Sequence, residues 1–149
     1  YAQAVVVNAG IANACTGAEG FGYCKDTADA AAKALNISAD GVLIGSTGVI
    51  GKQIPIDKLT AGIKVLAGKK NDTLENGTEA AKAIMTTDTR SKQVAVTVDI
   101  KGKKVTVGGM CKGAGMIHPN MATMLCFITS DANIEKSALQ KMTSAIHLT

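Results

Sequence analysis

Apolar residues fall along this chain in three kinds of run, and each kind predicts a different element. Short continuous runs at 4–7 (AVVV) and 42–44 (VLI) suit buried strands. The first ends in Asn8-Ala9-Gly10, read as a turn, and leads into a glycine-rich loop; the second leads into Gly45-Ser46-Thr47-Gly48. The alanine-rich stretch 27–35 predicts a helix capped by Asp26 or Thr27. After Pro55, Ile56, Leu59, Ile63 and Leu66 recur at helical spacing, which predicts a helix over 56–66 ended by Gly68. Residues 72–85 form a third helical candidate, weakened by Gly77. The period then changes to two: Val94, Val96, Val98 and Ile100 alternate with Ala95, Thr97 and Asp99, and Val105-Thr106-Val107 returns after Lys101-Gly102-Lys103, predicting a β-hairpin. A further strand is expected over 124–129 and a last helix over 134–146, with Asp131 or Asn133 near its cap.

Helices and strands that interleave without repeats or a linker predict α/β layers with a mixed sheet in a single domain over 1–149. A chain of 149 residues, 46% hydrophobic, has room for a real core and buries roughly two-thirds of its unfolded surface. The net charge of +4 comes from lysines standing singly or in pairs such as Lys69-Lys70 and Lys103-Lys104, with acids between them, so no basic stripe forms. With only 3% aromatic residues there is little to stack on bases either, and a nucleic-acid role is disfavoured. Cys15, Cys24, Cys111 and Cys126 lack the spacing of a zinc knuckle, so no metal is expected. Cys126 reads as a small buried hydrophobe, and all four as thiols in a reducing compartment. No apolar run is long enough for a membrane span, and no signal-like N-terminus is present. Because the chain opens without methionine on a strand-like run and stops without a helix-ending signal, it reads as a piece of something longer.

The chemistry concentrates at 112–125, KGAGMIHPNMATML. Glycines at 109, 113 and 115, the turn-forming Pro119-Asn120 pair and the small Ala122 precede Thr123, and a compact apolar run follows it. If the Ala122–Thr123 bond breaks, Thr123 gains a free α-amine. With an ordinary pKa of about 8, that amine is partly uncharged near neutral pH and can take the proton of its own hydroxyl. The bland alternative is a threonine that begins a strand and bonds only locally. In GSTG at 45–48 the alternatives are an ordinary strand-to-helix turn and a phosphate cradle; the second is weak because Gly51-Lys52 is followed by Gln53, not by the serine or threonine of a P-loop. Asn8 and Asn13 suit the orientation of loop backbone.

The stretch 112–125 resembles the self-cleavage segment of the ornithine acetyltransferase family, the bifunctional glutamate N-acetyltransferases of arginine biosynthesis. VVVNAGIANACTG at 5–17, IGSTGVIG at 44–51 and AIMTTDT at 83–89 resemble further segments of that family in the same order. The resemblance implies a layered α/β/β/α sandwich of N-terminal-nucleophile-like architecture. It implies cleavage between Ala122 and Thr123, so that 1–122 ends a first chain and 123–149 begins a second, in a heterotetramer of two of each. It further implies that Thr123 carries an acetyl group from N-acetylornithine to glutamate as an acyl-enzyme. The Thr47 hydroxyl and the Gly48 backbone N–H would form the oxyanion hole, and Lys112, Thr123 and one threonine of MTTDT would contact substrate. Thr86 and Thr87 stand as alternatives for that last role. His118 is given none. No cofactor is implied, with acetyl-CoA as an alternative donor, and the location is cytoplasmic, or the mitochondrial matrix for a fungal protein. Other substrate residues of the family, a glutamate and an asparagine among them, fall beyond Thr149, so this piece by itself is expected to be incomplete. A self-cleaving amidase or aminopeptidase, which gives the acyl group to water, is the rival reading.

Overall fold

The computed structural model describes residues 1–113 and 124–147. Its contacts divide the chain into two compact units: Tyr1–Lys92 with Cys111–Leu125, and Gln93–Met110 with Cys126–Thr149.

The first unit is built on two parallel strands, β1 (Ala4–Ile11) and β2 (Val42–Val49), in register from Ala4 opposite Val42 to Ile11 opposite Val49. Helices α1 (Gly17–Leu35), α2 (Ile56–Lys69) and α3 (Leu74–Ala83) belong to the same unit. Ala31, Ala32, Val42 and Ile63 form the buried centre, with Ala4, Val6, Ile44 and Leu59 packed around it. Alanine dominates the α1 side of this core, and a small side chain lets a helix approach a strand closely without leaving voids.

Both strands outrun the sequence expectation, which placed turns at 8–10 and 45–48. Gly10 and Gly48 face one another across the ladder, with φ of 106° and 128°. A Cβ built on Gly48 would collide with the Gly10 carbonyl and lie 2.8 Å from its Cα. The glycines therefore serve a close approach of two backbones inside a strand pair, where they signal a turn by composition alone. Asn8 is accommodated by donating its side-chain amide to the Ile11 carbonyl at 2.7 Å.

Helix α1 likewise begins at Gly17, where sequence placed a loop as far as residue 26. The Asn13 side chain accepts from Thr16 Oγ1 at 2.5 Å and donates to the Gly20 carbonyl at 2.8 Å. A Cβ on Gly20 would strike Thr16, so glycine gives this clasp the room it needs. Thr27 is no cap: it is buried within the helix and donates to the Tyr23 carbonyl at 2.6 Å. Asn36, left-handed at φ 57°, closes the helix with its N–H on Ala32 O. Gly68 lies inside α2, which ends at Lys69, and α3 starts at Leu74 with the Thr73 hydroxyl accepting from Asn76 N.

The second unit holds the predicted hairpin. Strands β3 (Lys92–Ile100) and β4 (Lys103–Lys112) meet at Lys101-Gly102, whose φ values of 53° and 78° fit the mirror-image turn that matches strand twist. Asp99 Oδ1 accepts from Gly102 N at 2.7 Å and fixes the turn. Strand β5 (Leu125–Ser130) adds to β4, giving the order β3-β4-β5, and α4 (Lys136–His147) follows. Strand directions are thus mixed but segregated, with parallel pairing in one sheet and antiparallel in the other. The valines of β3 alternate as expected, yet Val94 is 65% exposed and even Val98 is 43% exposed. Cys126 is also exposed, contrary to the buried position expected of it, because it lies on the open face of β5 while Leu125 and Phe127 turn inward. Asp131 accepts from Thr106 N at 2.8 Å and ties β4 to the end of β5. The start of α4 is capped by Glu135, whose Oε2 accepts from the N–H groups of Ser137 and Ala138.

Candidate active site

Side chains alternate in direction along a strand, so Ser46 and Thr47 use opposite faces of β2. Ser46 Oγ accepts from the Asn13 N–H at 2.7 Å, and Gly51 N donates to Ala14 O at 2.8 Å, which fastens this end of β2 to the segment after β1. Gln53 Nε2 adds a bond to the Thr16 carbonyl at 2.9 Å. Thr47, on the other face, accepts from Lys112 Nζ at 2.9 Å.

Lys112 is the last residue of β4 and only 5% exposed. Its ammonium also donates to Thr86 Oγ1 at 2.7 Å. Thr47, Thr86 and Lys112, far apart in sequence, thus meet at one point, and Thr86 rather than Thr87 takes the second bond from the lysine. The ion pairs among the described residues are Lys82 with Glu79 and Lys92 with Asp88, so Lys112 has no carboxylate partner there. A buried cation whose partners among the described residues are neutral hydroxyls retains a strong preference for an anion. Each threonine accepts from the ammonium through a lone pair and keeps its own hydrogen to donate elsewhere, and the nearby charge sharpens that donor. The cluster can therefore offer two polarised hydroxyls and one cation to a negatively charged or negatively developing group.

Sequence reasoning passed over Asp88. Its side chain is 3% exposed, and Oδ1 accepts from Lys92 Nζ at 2.7 Å and from the backbone N–H of Gly113 at 2.8 Å. The Lys92 ammonium holds this carboxyl below its ordinary pKa, with the Gly113 N–H adding to the effect and burial opposing it. Its place in MTTDT, two residues after Thr86, was the one available signal. Gly48 lies beside Thr47 on β2, held against Gly10. Ala122 and Thr123, with His118, lie outside the described residues.

The family model described as "ArgJ family" matches residues 1–148. The chain is 50% identical over 139 residues to the arginine biosynthesis bifunctional protein ArgJ of Symbiobacterium thermophilum, covering 93% of this chain and 34% of that protein. It is 48% identical over 141 residues to the chloroplastic ArgJ protein of Oryza sativa subsp. japonica, covering 95% of this chain and 30% of that one. Among solved structures, ArgJ from Bacillus halodurans aligns with a TM-score of 0.69 at 40% identity, over 81% of this chain and 61% of that one. Ornithine acetyltransferase from Mycobacterium tuberculosis, complexed with ornithine, aligns with a TM-score of 0.70 at 44% identity, over 81% and 62%. The fold and the threonine–lysine cluster thus sit in a mixed α/β protein of N-terminal-nucleophile type, the class expected from the sequence. The chain belongs to the ArgJ family. It spans about a third of the length of the curated relatives it matches. No described helix is long and apolar enough to cross a membrane.

Proposed function

We propose that the full protein transfers an acetyl group from N-acetylornithine to glutamate through an ester on Thr123, and that this chain supplies the nucleophile, the oxyanion hole and a carboxylate site. The observation that carries this reading is the buried Lys112 ammonium, held between the hydroxyls of Thr47 and Thr86 and lacking a carboxylate partner among the described residues.

The nucleophile is made first. The Thr123 hydroxyl oxygen attacks the Ala122 carbonyl carbon, the C–N bond breaks, and the nitrogen takes up the proton, leaving an ester. Water hydrolyses the ester to an Ala122 carboxylate and a free N-terminal Thr123. In transfer, Thr123 Oγ attacks the acetyl carbonyl while its α-amine takes the proton, and ornithine leaves as the amine. The glutamate amine then attacks the acetyl ester and regenerates Thr123. Both steps pass through a tetrahedral oxyanion. The Thr47 hydroxyl, already accepting from Lys112, and the Gly48 N–H donate to it, an arrangement set before reaction and therefore without reorganisation cost. Lys112 and Thr86 receive the amino-acid carboxylate. The relatives' names call them bifunctional, and acetyl-CoA as a second donor to the same threonine gives that word a chemical meaning. No cofactor is needed. The cleaved halves assemble as two of each chain, in the cytoplasm or, for a fungal protein, the mitochondrial matrix.

The test is an assay of the full-length protein with N-acetylornithine and glutamate. Formation of N-acetylglutamate with release of ornithine is expected. Release of acetate without N-acetylglutamate would make the protein a hydrolase instead.

A further inference from the structure

Lys112 is placed by the end of a strand, and the backbone of the next residue is held from outside that strand. Gly113 N donates to Asp88 Oδ1 at 2.8 Å. The approach is close: a Cβ at position 113 would lie 3.1 Å from that same oxygen. Asp88 in turn follows Thr86 by two residues, so one carboxylate fastens the segment that carries Thr86 to the segment that carries Lys112. The other carboxylate oxygen, Oδ2, is buried and receives no donor among the described residues, where Lys92 and Gly113 both donate to Oδ1.

We propose that Asp88 is a positioning residue for the acyl-transfer site, acting through the Gly113 backbone to hold the Lys112 ammonium between Thr47 and Thr86. In this role Asp88 acts through Gly113 and Lys112, not on the reacting atoms themselves. Its bond to Gly113 sets where β4 ends, and the lysine immediately before that point is aimed accordingly. A displacement of about 1 Å at a site of this kind is enough to cost heavily in rate. The pairing with Lys92 balances the charge of the buried carboxylate, but Lys92 lies on the far side of Asp88 from Gly113 in this chain of bonds and does not itself hold the segment that carries Lys112.

This inference rests on the acetyl-transfer reading, and the full-length wild type is measured first: absence of transfer there defeats that reading and the inference with it. With transfer established, Asp88→Ala is expected to lower kcat/KM about tenfold or more while circular dichroism and the thermal midpoint still report a folded protein. Asp88→Asn keeps a carbonyl oxygen for the Gly113 N–H and should recover to within about threefold of wild type. Lys92→Met removes the ion pair, with the longer bond from Lys92 Nζ to the Arg90 carbonyl at 3.3 Å, keeps the Gly113–Asp88 bond, and should leave kcat/KM unchanged. The loss in Asp88→Ala should fall on the same parameter, kcat or KM, as in Lys112→Arg, and adding Asp88→Ala to Lys112→Arg should cost no more than about twofold further. Wild-type kinetics in a folded Asp88→Ala protein, an Asn variant as slow as the Ala variant, a Lys92→Met loss as large as theirs, or multiplying losses in the double variant would each overturn the Asp88 role while leaving the transfer reading intact. If Asp88→Ala does not fold, Asp88→Asn and Lys92→Met decide by the same criteria.

Discussion

At the scale of single residues, the site depends on a cation and two hydroxyls that no local pattern connects. Thr47 can be removed without touching the core, since it is half-buried and its bond is to Lys112. Thr47→Ala in the full-length enzyme is expected to lower turnover on the order of a hundredfold, about 3 kcal/mol, the usual loss for one oxyanion donor, with an unaltered thermal midpoint. Steady-state kinetics beside a melting curve check both parts. Asp88 predicts a pH effect of definite sign. Its folded pKa is depressed, chiefly by Lys92, so its stabilisation is present above the ordinary carboxylate value of 3.8 and is lost as the pH falls through the depressed folded value. Urea unfolding of the full-length protein between pH 5 and pH 2 should show a steeper acid loss in wild type than in Asp88→Asn. Equal slopes would remove Asp88 from the acid limb. Motif reading singled out Thr47 and Lys112, which the fold brings into contact, but could not separate Thr86 from Thr87, because adjacent residues in an irregular stretch carry no period to tell them apart. It missed Asp88 altogether, since the partner that defines its role, Gly113, is distant in sequence.

At the scale of elements, each α-helix and strand among the described residues has a counterpart in the sequence reading, the short 3-10 turn Ala39–Gly41 has none, and glycine misplaced several boundaries. Glycine-rich sequence reads as loop, yet here Gly20 makes room for the Asn13–Thr16 clasp inside α1, and Gly10 and Gly48 let two strands touch. Both uses depend on a neighbour that a one-dimensional reading cannot supply. Two substitutions separate packing from backbone geometry. Ile63, 7% exposed in the centre of the first unit, should cost about 3 kcal/mol when cut to alanine, seen as a lowered urea midpoint. Gly48→Ala should be worse relative to the atoms changed, because it adds one methyl group where φ is 128° and the Gly10 carbonyl already fills the space. A Gly48→Ala protein with wild-type stability would contradict the strand register. The apolar face of β3 was legible as a period, but its exposure was not, since period states which residues share a face and nothing about what covers it.

At the scale of the whole molecule, the proposed cut lies between two strands that are neighbours in one sheet. Strand β4 ends at Lys112, β5 begins at Leu125, and the bond between Ala122 and Thr123 belongs to the connection joining them. The full-length protein is expected to give two chains in denaturing electrophoresis, the second beginning Thr-Met-Leu-Cys, and one species in native size exclusion. Thr123→Ala should remain a single chain under both conditions, and an uncut wild type that still transfers acetyl groups would require another nucleophile. The two chains are expected to stay together, because β4 is tied to the end of β5 by the Thr106–Asp131 pair, in which Asp131 Oδ1 accepts from Thr106 N at 2.8 Å and Asp131 N donates to Thr106 O at 3.3 Å. On the proposed cleavage, covalent continuity between β4 and β5 is not needed to keep them paired. Two separately expressed polypeptides of the full-length protein, divided before residue 123, are expected to find one another by strand addition; if they do, the pair would serve for split-reporter complementation, with arginine-independent growth of an auxotrophic host as the signal of the proposed activity.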